Sequence, residues 1–558
     1  MRKILMVNKL HFTLCLLLCA LACGKPGDEG GETAPAVPKN VQFRIATETT
    51  LTFQWDLVDG AKSYGWKLTL DGTEFKKGST SVRNVTVDGL SKGTDYGFSV
   101  NASRDGGTSA WSAEITARTN GVAPPPGGPR VCVDAPLVLE LDSVPVLGTS
   151  GQVKIFKADG VEVDHIDLAD MVGFTVRDDG VIVPAQQLVN ASASNTFMDT
   201  LPCSGKTRVV HYTPLLVSGK SLIIRPHTAA LDFDTEYYVT VDASVCGKEV
   251  SEGEWKFTTT AVPSTSEIRV AADGSGDFCT LQRALSHCSD GATITLADGT
   301  YAGLLYLRDR KNLTVKGDSR DGVRIAYPNA ENYMSGSSAR CLWLVENCDN
   351  LVLEKLTVEN TFGNPKGQAE CIYFNSGNNT HKLTIEDCSL ISWQDTFLCK
   401  GVVWVHNSLI AGHCDYIWGY PKACLFEDCE IRSRDAGYIV QARVPDASYP
   451  GFVFLRCNLT AESGVKDDSM YLARSAGQSD CYDNVVYVNC TMSPAIRKVG
   501  WLGSPAPNPS TPTATAGWRE FGSTSPSGTA ISGHNSYGKV LTAAEAEAYS
   551  SRQAVLGW

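Results

Sequence analysis

The chain has 558 residues, 43% hydrophobic and 20% charged, a globular composition that excludes an intrinsically disordered protein. Its length suggests two to four domains rather than one. The formal net charge of −12 argues against nucleic acid, which needs a basic surface, but leaves room for an acidic polysaccharide in a locally suitable groove.

At the N-terminus, Arg2, Lys3 and Lys9 precede an apolar run from Leu14 to Ala22. That run has the length of a signal-peptide core and is too short to span a bilayer, so residues 1–22 read as a signal peptide. Ala20-Leu21-Ala22-Cys23-Gly24 resembles the bacterial lipoprotein box, which makes Cys23 the expected lipidation site. Cys19 is a poorer candidate because Leu18 is too large for the position before the cut. Ordinary secretion with Cys23 removed is the alternative. Residues 23–34, with Asp28, Glu29 and Glu32 among glycines and prolines, read as a tether resembling the acidic export signals of surface lipoproteins in Bacteroides-like bacteria. The expectation is an exported lipoprotein at the outer membrane and cell surface, or in the periplasm, that meets the membrane only through its lipid.

Residues 35–120 alternate apolar and polar positions with frequent turn signals, the pattern of a β-sandwich. Trp55, Tyr64, Leu90, Tyr96 and Trp111 fall where a fibronectin type III domain keeps its core, and Leu90–Tyr96 resembles that family's turn before its sixth strand. Residues 121–130, with Pro124, Pro125 and Pro126, read as a stiffened linker. A second all-β segment follows over 131–260, with strands expected at Leu137–Leu141 and Tyr237–Val241 and closure by Trp255–Thr259. It resembles bacterial immunoglobulin-like domains found beside polysaccharide-acting enzymes. Neither segment holds a catalytic constellation, and both are expected to be spacers, with weak sugar binding as the minor alternative.

From Ile268 the texture changes. Short β-rich runs are punctuated at Asn347-Cys348, Asp387-Cys388, Asn407-Ser408, Asp428-Cys429, Arg456-Cys457 and Asn489-Cys490. The steps from 388 to 408 to 429 are 20 and 21 residues, the period of a solenoid. Single coils cannot bury themselves, so they stack, and equivalent side chains form ladders. Short runs rich in Val, Ile and Leu suit a parallel β-helix better than a helical repeat. The solenoid also accounts for the cysteines. Of 19, 13 fall between Cys279 and Cys490, many at equivalent repeat positions, where a thiol acts as a small apolar side chain. Metal binding is not expected, because no paired Cys-x-x-Cys units or matching His spacing occur.

Within 267–558 the motifs become specific. Val270–Phe278, Gly299-Thr300-Tyr301, Gln368-Ala369, Gln394-Asp395-Thr396, Asp415–Gly419, Gln441-Ala442-Arg443 with Gly451-Phe452-Val453, and Gly500-Trp501 with Leu541–Ala546 occur in order at fitting distances. Together they resemble the pectin methylesterase family. The resemblance implies a right-handed parallel β-helix and hydrolysis of methyl galacturonate esters in pectin without a cofactor or metal. The fold class expected for the whole chain is all-β, a β-helix preceded by two sandwiches. The expected partner is methyl-esterified homogalacturonan or a pectic oligosaccharide, met by a monomer.

Asp395 and Asp415 lie one coil apart, so they project from adjacent rungs of one face. Two carboxylates held close cannot both ionise easily, and one pKa rises. By the family's pattern Asp415 would attack the ester carbonyl and form an acyl-enzyme, and Asp395 would protonate methanol and then activate water. Gln394 and Gln368 would donate to the oxyanion, and Arg474 would keep the nucleophile ionised. Trp393, Trp418, Gln441 and Arg443 complete the expected substrate-binding set. Two positions depart from the family: Gly303 stands where a Glu is usual, and Ser475-Ala476 where Pro-Trp normally follows the arginine. The second removes a tryptophan that helps bind substrate. Other readings are another β-helix pectin enzyme (an acetylesterase, a lyase or a polygalacturonase) and a non-catalytic glycan-binding lipoprotein. A lyase would need acidic calcium ligands and a basic proton acceptor, and a polygalacturonase a carboxylate set around the anomeric carbon; neither pattern occurs.

Overall fold

The structure is a computed structural model describing residues 34–46, 49–91, 94–119, 130–188, 191–363 and 367–558. The expected signal peptide, Cys23, nearly all of the tether and the linker 121–129 lie outside the described residues. No helix among the described residues is long and apolar enough to cross a membrane.

The first unit is a two-sheet sandwich. One sheet orders Gln42–Ala46, Leu51–Gln54 and Asn84–Val87; the other is built on Ser63–Leu70 and Asp95–Arg104. Alternation along Leu51–Gln54 turns Leu51 and Phe53 inward, where Phe53 stacks on Phe98 at 3.9 Å and Trp55 meets Tyr64 edge-on at 5.3 Å. Leu90 and Tyr96 are buried as expected. Trp111 is not a core residue: it is 40% exposed, with the Lys67 ammonium 5.0 Å from its ring. The Ser109 and Ser112 N–H groups and hydroxyls tie its segment to the Asp95–Arg104 strand, so the chain between them bows outward and carries the indole into solvent.

The second unit is also all-β. One sheet orders Glu162–Asp167, Gln152–Lys157, Glu236–Val241 and Lys256–Thr258; another orders Leu215–Ser218, Ser221–Ile224 and Leu137–Glu140. Two hairpins complete it, Phe174–Val176 with Ile182–Pro184 and Met198–Cys203 with Lys206–His211. This unit is not a spacer. Its apolar side chains run without a break into those of the solenoid, forming one core from Val131 to Trp518. The buried Arg208 guanidinium donates to the carbonyls of Leu305, Ala339 and Cys341 at 2.7–2.9 Å. Asp134 accepts from the Cys279 and Thr280 N–H groups and the Thr280 hydroxyl, bracing the start of helix Leu281–His287. These hydrogen bonds pair the Arg208 terminal nitrogens and the Asp134 carboxylate across the junction, while the buried Arg208 Nε has no partner.

From Glu267 to Val540, 23 strands form one continuous sheet whose pairings are all parallel. Thr293–Leu296 pairs with Thr314–Gly317, which pairs with Leu351–Glu354, three strands further on each time, so each turn presents three faces. Coil length varies. Lys382 pairs with Val402 20 residues on, whereas Phe452 pairs with Val485 33 residues on.

The corner residues Asn347, Asp387, Asn407, Asp428, Arg456 and Asn489 all have φ between 48° and 54°. Short polar side chains tolerate this left-handed conformation, which suits a sharp turn between two faces. Arg456, the unusual member, is held by Asp428 at 2.8 Å and Glu427 at 2.7 Å. The residue after each corner points inward and is buried, and the Cys388, Cys429 and Cys490 thiols donate to carbonyls two residues earlier at 3.2–3.5 Å. Deeper in the stack Phe426, Phe454 and Tyr487 lie ring on ring at 4.8 and 4.5 Å, near the spacing of neighbouring strands. On the outside, Ala546, Tyr549 and Val555 of the C-terminal segment cover an apolar face formed by Leu425, Val453 and Val486.

Candidate active site

Asp395 and Asp415 occupy the same corner in consecutive coils. Gln368 and Gln394 form one parallel bridge, Gln394 and Cys414 the next, and the Asp395 N–H donates to the Cys414 carbonyl at 3.1 Å. Both aspartates have positive φ, 64° and 46°. Their side chains therefore leave the ladder's regular alternation and are almost fully buried, 3% and 4% exposed, with Gln368 and Gln394 beside them lining a cleft.

The two carboxylates are held differently. Asp415 receives Arg474 through two nitrogens, Nε at 2.8 Å and Nη2, and Gln441 Nε2 at 3.0 Å. A two-pronged guanidinium is among the strongest ways to fix a carboxylate. The same contact raises the pKa of Arg474, so the cation is secure. Gln441 is itself fixed, because Arg443 donates to its Oε1 from Nε at 3.0 Å and Nη2 at 2.6 Å.

Asp395 belongs to a denser cluster. Arg340 reaches its Oδ2 at 2.8 Å, but the same guanidinium contacts Glu370 at 2.8–3.0 Å and Glu331 at 3.0 Å. Three carboxyl groups share one cation. Burial, reinforced by the negative charges of Glu370 and Asp415, holds the Asp395 carboxyl well above the usual carboxylate range, against the pull of Arg340. Gln368 is clamped in this cluster, its Oε1 accepting from Arg340 at 2.9 Å and its Nε2 donating to Asp395 at 3.1 Å. The Gln394 amide is half-buried and makes no side-chain hydrogen bond among the described residues, leaving both its N–H groups for the cleft.

The expected tryptophans divide. Trp393 is half-buried, with the Arg434 guanidinium 4.1 Å from its ring and His413 against its edge. Trp418 is buried between Arg340 at 6.0 Å and Arg443 at 5.0 Å, and its Nε1 has no partner. Beside Asp415, burial pushes the Cys414 thiol up to about 12, so it stays protonated and uncompetitive as a nucleophile.

Arg340, Glu331 and Glu370 are absent from the set read from the sequence, although a signal exists. Arg340 stands three residues before the buried strand Trp343–Glu346 and Glu370 two before Ile372–Asn375, its neighbour in the next coil. Opposite charges ahead of paired hydrophobic runs mark a buried ion pair. Ser475 replaces the usual proline with a purpose: its hydroxyl donates to the buried Asp483 at 2.8 Å and accepts from the Gly477 N–H. Ala476 is half-exposed beside it. Among the described residues, Cys132, Asp134 and Cys279 are the one trio with ligand atoms within 4.8 Å. It lies at the sandwich–solenoid junction, where both Asp134 oxygens already accept hydrogen bonds.

The pectinesterase family model matches residues 267–557, and the fibronectin type III model matches 36–118. Pectinesterase 31 of Arabidopsis thaliana is 30% identical over 254 residues, spanning 43% of this chain and 77% of that protein. Pectinesterase A of Emericella nidulans is 27% identical over 46% of this chain and 80% of its own length. The crystal structure of the Aspergillus niger pectin methylesterase superposes with a TM-score of 0.44 at 26% identity, covering 53% of this chain and 95% of that one. With more than half of its length matched by that model and its solenoid carrying the two aspartates, the chain belongs to the pectinesterase family.

Proposed function

We propose that Asp415 is the nucleophile and Asp395 the acid and base with which this pectinesterase hydrolyses methyl esters of galacturonate in pectin. The observation that carries the assignment is the unequal sharing of arginines. Asp415 has Arg474 to itself through two nitrogens, while Asp395 shares Arg340 with Glu331 and Glu370. One carboxylate is paired with a guanidinium of its own and the other is kept ready to hold a proton.

In this reading an Asp415 oxygen attacks the C6 carbonyl, whose electron pair moves onto oxygen. The Gln394 amide and the second N–H of Gln368 receive that oxyanion. Collapse expels methoxide, which takes the Asp395 proton and leaves as methanol. Asp395, now a carboxylate, removes a proton from water. The hydroxide attacks the acyl-enzyme and frees Asp415 and the galacturonate acid. Gln441 is a positioning residue, and Gln368 both donates to the oxyanion and positions Asp395, since each amide holds one aspartate. Arg443 acts through Gln441 and Trp418 through packing. Trp393 keeps a half-exposed edge for a sugar ring.

The test is direct. Asp395→Asn and Asp415→Asn should each lower methanol release by roughly three orders of magnitude or more with unchanged melting. Near-normal turnover in either folded variant removes that residue from the chemistry. We also propose that the enzyme acts as a surface-exposed lipoprotein, on the strength of the apolar run before Cys23. Cys23→Ala should then release the protein from the membrane fraction or block its maturation. Equal partitioning of both forms argues for ordinary secretion.

A further inference from the structure

The cleft beside Asp395 is not walled by the solenoid alone. Gln368 and Gln394 line one side, and Tyr333 and Phe362, packed edge-to-face at 5.1 Å, continue it. The facing wall is Ala185-Gln186-Gln187, which belongs to the second sandwich and follows directly on its strand Ile182–Pro184. This segment is fastened, not merely nearby. The Gln187 Nε2 donates to the Glu331 carbonyl at 2.6 Å, and the Leu188 N–H donates to the Tyr333 carbonyl at 2.9 Å. Leu188 and Met334 form a parallel bridge, so the sandwich adds a short extra rung to the solenoid's loop. Glu331, on which Gln187 sits, is one of the three carboxyl groups around Arg340.

Gln186 is exposed into this cleft, and none of its side-chain atoms bonds to another side chain among the described residues. We infer that the second sandwich supplies a substrate subsite, with Gln186 contacting a galacturonate unit next to the one being cleaved. The inference rests on the catalytic reading above. Its chemistry is that of a carboxamide, which both donates and accepts and therefore suits sugar hydroxyl groups. Being neutral, it also accepts a neighbouring unit as methyl ester or as free acid, so the enzyme can continue beside a site it has already de-esterified. A wall brought by a different domain lets the sandwich set which pectin pattern is processed without touching the catalytic corner.

The test changes charge at Gln186 and leaves Gln187 as the fastening. Methanol release is measured with the full chain at 0.15 M salt, where fields from distant charges fade within about 8 Å. The substrates are a fully methylated galacturonan oligomer and a partly de-esterified one of equal length. Gln186→Ala should raise KM for both by about three- to tenfold with kcat little changed, the mark of lost binding rather than lost chemistry. Gln186→Glu should favour the fully methylated oligomer over the anionic one by at least about threefold more than wild type, and Gln186→Lys should shift the ratio the opposite way. Ratios and KM values equal to wild type in all three variants overturn the subsite while leaving the catalytic reading intact. Failure of the wild type to release methanol from either oligomer overturns the catalytic reading, and the subsite with it.

Discussion

Glu370 and Asp395 lie against the same guanidinium, yet Glu370 takes both its Nε and its Nη2 while Asp395 takes Nη2 alone. Glu370 is completely buried, so its charge acts on Asp395 through protein rather than water. Glu370→Gln should therefore lower the Asp395 pKa, because a negative neighbour that raised it has gone. Asp395 must begin the cycle protonated, so the alkaline limb of the pH–kcat/KM profile should move to lower pH. A limb that stays in place would mean that Asp395 is not the group whose deprotonation ends activity.

Gln394 is the oxyanion donor with least other employment. Gln394→Ala should lower kcat by about 10²–10³ while KM changes little, since the donor matters most when charge has developed on oxygen. Gln368→Ala should act differently, because its amide also holds Asp395. Its loss should alter the pH profile as well as the rate. Steady-state kinetics across pH for the two variants separates a donor from a positioner.

His227 in the second sandwich should make stability pH-dependent. Its Nδ1 faces Asp164 at 2.7 Å and its Nε2 faces the Thr196 carbonyl at 3.0 Å, so both ring nitrogens meet acceptors. Burial opposes the cation, but Asp164, Asp199 and these hydrogen bonds prevail and push the pKa up to about 9. A histidine raised above its unfolded value of about 6.5 stabilises the fold fully below that pH. The contribution fades as pH rises through 9. Melting temperatures of wild type and His227→Gln should differ most near pH 6 and converge by about pH 10. Parallel curves would show that the imidazole is not charged in the fold.

Ala476 tests the missing sugar platform beside Arg474. An aromatic ring is worth roughly 0.5–1.5 kcal/mol beyond its buried area, or about tenfold in affinity at the upper end. Ala476→Trp should raise kcat/KM on long methylated polymer more than on short oligomers. Because Ser475 is tied to Asp483, the segment that presents residue 476 is already fixed. An unchanged polymer-to-oligomer ratio would mean that other residues set the length preference.

The corner code of the solenoid was legible in the sequence because it is local. An Asn or Asp before an inward Cys or Ser specifies one left-handed residue and one buried one, and Asn347, Asp387, Asn407, Asp428 and Asn489 all obey. Asp395 and Asp415 stood out differently, through the motifs Gln394-Asp395-Thr396 and Asp415–Gly419 set one coil apart. Arg340 and Glu370 were harder: Glu370 stands two residues before Ile372 as Asp395 stands two before its partner Phe397, but its ion pair with Arg340 appears only once the coils are in register. Trp111 misled because sandwich periodicity says which strand a residue follows, not whether flanking serines bow it outward. The docking of the second sandwich was invisible, because Arg208 and the carbonyls it meets are 97 to 133 residues apart.

That docking sets where the molecule can be divided. Asp134 braces a solenoid helix and Arg208 fills a polar socket among solenoid carbonyls, so residues 131–558 are one portable piece rather than two. A fragment beginning at the family boundary near 267 would bare the apolar end of the solenoid that the sandwich covers, which favours aggregation. A fragment beginning at 131 should be the smallest that dissolves.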